Sequence, residues 1–168
     1  MGAVRHTPGR RQALWRDDKA MRRDPEPRSR CYCTTIRRAA RHVTRFYDSC
    51  LADCGLRVTQ YSILGSLKHH GPMTMLQLAH LLTMDRATIG HNLRPLERHG
   101  LVAIRKSEQD RRARIVSVTD AGLQRIARGK PGWDRAQAEF ERLFGSAKLA
   151  TLRRMMDQVV EQEFAAAA

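Results

Sequence analysis

The sequence predicts a mainly α-helical chain with one small β-hairpin, and three observations carry that reading. Apolar residues recur at helical spacing through most of the chain, as in Met84, Ala87, Ile89, Leu93 and Leu96. Only two short β-branched runs stand out, Leu101 to Ile104 and Ile115 to Val118, set off from the preceding helix by Gly100. The turn that joins them is SEQDRRAR, polar and rich in arginine. A helix followed directly by a hairpin with a basic tip is the arrangement of a winged helix-turn-helix, whose helix suits a major groove.

The remaining elements follow in order. Residues 1–30 hold nine Lys or Arg residues and prolines at 8, 25 and 27 with no sustained apolar period, which predicts a disordered basic arm. From Thr34 or Thr35 as N-cap, Ile36, Ala39, Ala40, Val43, Phe46, Tyr47, Cys50, Leu51 and Cys54 form a long amphipathic helix ending at Gly55. A second helix starts at Thr59 and ends at Gly71 and Pro72. Thr74 with Gln77 reads as a capping box opening a short support helix through Leu82. Thr83 is the expected cap of the next helix, in which Pro95 predicts a kink or loosened turn. Thr119 caps a later helix that Gly129, Pro131 and Gly132 should bend or split in two, and Ser146 caps the last. The expected organisation is therefore a basic arm (1–30), an N-terminal dimerisation helix (31–58), a winged helix-turn-helix domain (59–119) and C-terminal dimerisation helices (120–168). Long amphipathic end helices have too little partner surface in so small a chain, which predicts a homodimer.

Composition narrows the function. The 168 residues carry 31 Lys or Arg against 17 Asp or Glu, a formal charge of +14, and that excess points to a polyanion partner. No apolar run approaches the ~18 residues a membrane span needs, and the first thirty residues lack a signal-peptide core, so a cytoplasmic protein is expected. Cys31, Cys33, Cys50 and Cys54 lack the spacing of a zinc ribbon or finger, so neither metal nor cofactor is expected. With no nucleophile elbow, phosphate loop or carboxylate array, an enzyme is not expected either.

Three stretches carry a resemblance: GLRVTQYSIL at 55–64, LERHGLV at 96–102 and DRRARIVSVTDAG at 110–122. In order and spacing they resemble the MarR/SlyA family of bacterial transcriptional regulators over roughly residues 31–164. The resemblance implies a dimer with two winged-helix lobes that binds a pseudo-palindromic operator, usually as a repressor released by a small molecule or by oxidation.

Carried onto this sequence, the resemblance places Arg112, third residue of the D-x-R wing signature, in the minor groove. A planar, weakly hydrated guanidinium suits such a groove. Asp110 would hold the wing arginines by a charge-assisted hydrogen bond, and Arg111 and Arg114 would approach phosphates. On the helix, Arg86, Thr88, His91, Asn92 and Arg94 are the candidates for base edges or flanking phosphates, since Asn serves adenine and Arg guanine bidentately.

Two effector routes stay open. An anionic aromatic ligand would lie among Phe46, Tyr47 and Tyr61, with Arg38 or Arg45 pairing its carboxylate. Alternatively, Cys33 and Tyr47 match a peroxide-sensing branch of the family, although the second tyrosine of that branch falls on Val58. A helix N-terminus with Arg30 and Arg37 nearby would favour the Cys33 thiolate; the competing reading makes Cys33, Cys50 and Cys54 small packing residues. A third possibility, non-specific nucleic-acid packaging, would rest on the arm and the charge alone.

Overall fold

The computed structural model describes residues 31–108, 110 and 112–164. The basic arm and Arg111 lie outside them. Helix α1 (Tyr32–Cys50) is followed by a 3-10 turn at Ala52–Cys54, α2 (Val58–His70), β1 (Met73–Thr74), α3 (Met75–Leu81), α4 (Arg86–Arg98), β2 (Val102–Lys106), β3 (Arg114–Val118), α5 (Asp120–Phe144) and α6 (Ser146–Glu161). Two units divide between Ala40 and Arg41, within α1. The first contributes the exposed opening turns of α1, and the second everything that follows.

The core of the second unit is aliphatic. Leu51, Ile63, Leu64, Leu67, Leu78, Ile89, Leu93, Leu96 and Val116 are fully buried, so helices α2, α3 and α4 share one apolar centre with the sheet. The three antiparallel strands run in the order β1-β3-β2. Val102 faces Val118 at the root of the hairpin and Lys106 faces Arg114 near its tip, while Met73 of β1 faces Val116. Strand β1 was not anticipated: it is two residues long, and Thr74 also caps α3, whose signal masks the pairing.

Several element ends differ from expectation for local reasons. Helix α1 opens at Tyr32, not after Thr34 or Thr35; the Thr35 hydroxyl donates back to the Cys31 carbonyl (3.2 Å) from within the first turn. Its far end tightens into the 3-10 turn, closed by Gly55 at φ +69°. Helix α2 starts at Val58 because Asp48, in the last turn of α1, accepts from the Val58 amide (2.8 Å) and the Arg57 guanidinium (3.0 Å). Thr83 does not cap α4. It takes a left-handed φ of 50°, and Asp85 caps instead, its Oδ1 accepting from the Thr88 amide at 2.7 Å. Ser146 is the first helical residue of α6 rather than its cap; Gly145, at φ +77°, occupies the cap position.

Helix α5 is the largest departure, because it runs unbroken for 25 residues through Gly129, Pro131 and Gly132. Those glycines mark close crossings. A Cβ at Gly129 would come within 2.7 Å of the Tyr61 ring, and one at Gly132 would collide with the Cys50 carbonyl. At its start, the Thr119 amide donates to the Leu101 carbonyl (3.1 Å) and the Thr119 hydroxyl to that of Gly100 (2.6 Å). Gly122 then sits so tightly that a Cβ would strike the Leu101 carbonyl oxygen.

Candidate nucleic-acid interface

The interface is built on α4 and the β2–β3 hairpin. Ile89, Leu93 and Leu96 of α4 point into the core, which turns Arg86, Thr88, His91 and Arg94 to solvent. Arg98 in the last turn is exposed as well, and so is Ala87, which the apolar pattern assigned to the core. Asn92 is half-buried on the flank of the helix, where its Nδ2 donates to the Thr88 carbonyl at 2.9 Å. The polypeptide continues as a helix through Pro95.

The cap of α4 is a compact polar knot. Asp85 accepts from the Thr88 amide and, through Oδ2, from the Thr88 hydroxyl, both at 2.7 Å. Those two bonds, hydroxyl first, hold the Asp85 carboxyl below the usual carboxylate range. The start of α4 therefore carries a fixed negative charge.

In the wing, Asp110 Oδ1 accepts from the backbone amide of Arg112 at 2.9 Å, an Asx-type turn. The bond fixes the course of the chain at the tip, with the Arg112 amide as donor where an arginine side chain was expected. Ser107 and Ala113 close the loop through Ser107 N to Ala113 O (3.0 Å), and the Ala113 amide donates to Asp110 O (2.9 Å). Arg112 and Arg114 are exposed. Lys106 stands directly across from Arg114, with exposed Arg105 beside it. Like charges opposed on a ladder are unfavourable, so a tip bearing them has the character of an anion-facing surface. Lys106 and Arg105 escaped the sequence reading, which drew the turn too long and the strands too short.

The residues named for effector binding do not form one group. Phe46 and Tyr47 stack edge-to-face at 5.7 Å, and both meet Phe140, at 6.2 and 5.9 Å; Phe140 continues to Phe144 at 5.5 Å. Tyr61 is not in that aromatic row among the described ring contacts. It packs on Gly129 and lines a separate hollow of about 470 Å³ with Ser66, Lys68, His69, Lys130 and Trp133. Burial raises both phenols, with the Cys50 charge adding at Tyr47 and that of Asp134 at Tyr61. The Arg45 side chain turns back to the Arg41 carbonyl (3.3 Å), and Arg38 is exposed in the first unit.

Cys33 is exposed, Cys50 half-buried and Cys54 buried with its thiol on the Leu51 carbonyl. The thiol with a visible cause for activation is Cys31, just before α1: hydrogen bonds from the Thr34 hydroxyl and amide pull its pKa down. No cluster of metal-ligating side chains exists among the described residues, and none of their helices is long and apolar enough to cross a membrane.

Comparison with known proteins agrees with this geometry. The model of the MarR family matches residues 56–113, from the start of α2 to the wing. An organic hydroperoxide resistance transcriptional regulator of Bacillus subtilis is 28% identical over 90 residues, 54% of this chain and 61% of that protein. The chain spans 52% to 61% of the lengths of the curated relatives it matches. Among solved structures, the M. tuberculosis transcriptional regulator MosR in complex with DNA is 31% identical, with a TM-score of 0.71 covering 78% of this chain and 94% of that one. The transcriptional repressor CouR bound to a 23-mer DNA duplex is 26% identical, with a TM-score of 0.71 over 78% and 93% of the two chains.

Proposed function

Since the chain belongs to the MarR family of winged-helix transcriptional regulators, we propose that it is a homodimeric repressor that binds a pseudo-palindromic operator and is released by an effector. The observation that carries this reading is the pairing of an exposed α4 face, with Arg86, His91 and Arg94, and a wing whose tip opposes Lys106 to Arg114. Helix α4 would take base edges while Arg112 enters the minor groove beside it. The apolar residues Leu152, Met155, Met156, Val159 and Val160 of α6 are exposed in the single chain, and burying them in a second copy supports dimerisation through the chain ends.

The experiment is a gel shift on a duplex selected from a random library by the whole chain, at physiological salt. Arg112→Ala is expected to lower affinity by about 5- to 150-fold, on the order of 1–3 kcal/mol, while the mass in solution stays that of a dimer. An unchanged midpoint for Arg112→Ala rejects the wing assignment. Equal affinity for selected and scrambled duplexes returns the protein to the packaging reading.

The effector side has two readings. An anionic aromatic ligand against Phe46 and Tyr47, with Arg45 to pair its carboxylate, remains the first. Thiol oxidation is the second, favoured by the Thr34 bonds to the exposed Cys31, two residues before Cys33, and by the similarity to a regulator of organic hydroperoxide resistance.

A further inference from the structure

We infer that the groove-facing start of α4 reads thymine through two methyl groups, those of Ala87 and Thr88, and that Asn92 braces the helix instead of reading a base. The inference rests on the reading of α4 as a major-groove helix and goes beyond it by assigning the contacts.

The Thr88 hydroxyl hydrogen is committed to Asp85 Oδ2 and the Thr88 amide to Asp85 Oδ1, so neither donor is available to a base or a phosphate. The Asp85 carboxylate, exposed and charged, repels phosphate oxygens from the same spot. What the exposed Thr88 side chain keeps beyond its own cap is its γ-methyl group and a hydroxyl oxygen that can only accept. Ala87 stands exposed beside it, on a face where the apolar pattern of α4 would have hidden it. Two adjacent methyl groups among spent donors match one feature of the major-groove edge, the C5 methyl of thymine.

Asn92 has the opposite character. A bidentate adenine contact needs the amide turned outward to the groove. The Asn92 side chain instead lies half-buried on the flank of α4 with Nδ2 held on the Thr88 carbonyl at 2.9 Å. It joins the Asp85–Thr88 knot to the next turn. Base donors are then left to Arg86, His91 and Arg94, all exposed.

The test uses the whole chain and the duplex it selects from a random library. Each thymine is replaced in turn by deoxyuridine, which removes the methyl group and nothing else. Wild-type protein is expected to lose about fourfold in affinity at one thymine per half-site, the size of one lost methyl contact. Ala87→Gly should bind the thymine duplex about as weakly and respond less to the replacement. Asn92→Ala should weaken binding to all duplexes alike and leave the order of base preference intact. Equal affinity for thymine and uracil at every position overturns the inference, and so does a changed base preference in Asn92→Ala. A library with no enriched sequence overturns the groove-helix reading itself, and this assignment with it.

Discussion

Removing the Asp48 carboxylate tests how α1 and α2 are joined. Asp48 lies in the last turn of α1, where a negative charge is opposed by the helix dipole, but beside the first turn of α2, where it is favoured. Its side chain is 15% exposed, and it satisfies the part-buried Val58 amide, one of the orphan donors that open α2. Asp48→Ala strips that amide of its partner, at a cost of about 1–3 kcal/mol. The ion pair to Arg57 adds little, since the Arg57 side chain is 76% exposed and such pairs contribute about 0–1 kcal/mol. A total near 2 kcal/mol corresponds to a fall in Tm of roughly 4–8 °C for a chain of this size. Thermal denaturation followed by circular dichroism measures it, with Asp48→Asn, which keeps an acceptor, losing about half as much, and Arg57→Ala changing little. Equal losses for Asp48→Ala and Arg57→Ala would show that the ion pair, not the capped amide, holds the junction, and would refute the reasoning.

Gly132→Ala should destabilise by about 1–3 kcal/mol through the collision with the Cys50 carbonyl, a loss visible as a lowered urea midpoint, whereas Gly65→Ala, with open space around its Cα, should not. The depressed Cys31 pKa means that more thiolate is present at neutral pH than in an ordinary cysteine; alkylation of Cys31, read by mass spectrometry, should therefore run at lower pH in wild type than in Thr34→Ala. If thiol oxidation at Cys33 is the signal, peroxide should release DNA from wild type but not from Cys33→Ser, and if Cys31 is the sensor, Cys31→Ser should be the variant that keeps its DNA; equal release from wild type, Cys31→Ser and Cys33→Ser would count against both thiols.

Where bonding partners are close in sequence, the chain could be read directly. The Thr74–Gln77 box is present as two bonds of 2.8 and 3.1 Å, and Thr119 caps α5 as its position suggested, accepting from the Gly122 amide at 3.1 Å. The hairpin and its basic turn were equally legible, off by two residues at one strand end and by one at two others. What escaped depends on contacts remote in sequence or on a choice between adjacent equivalents. Thr83 and Asp85 are both good capping residues, and the positive φ at Thr83 decides between them. Gly129 and Gly132 look like helix breakers until Tyr61 and Cys50 are seen against them. The aromatic row is similar: Phe46 and Tyr47 carry a helical period, but only the fold shows that Phe140 joins them and Tyr61 does not.

The bonds at the start of α5 have a mechanical consequence. Thr119 is tied to Gly100 and Leu101 at the root of the wing, directly after α4, and Gly122 leaves no room for slip against the Leu101 carbonyl. Helix α5 is thus welded to the wing at one end and runs 25 residues away from it, about 37 Å. A lever of that length converts small angles into useful displacements: a tilt of about 3° at the root corresponds to about 2 Å at Phe144, by the rise of 1.5 Å per residue. The aromatic row of Phe46, Tyr47, Phe140 and Phe144 sits at that far end. Repacking there would reach the wing along one continuous helix, past the close crossings at Gly129 and Gly132 that hold its middle.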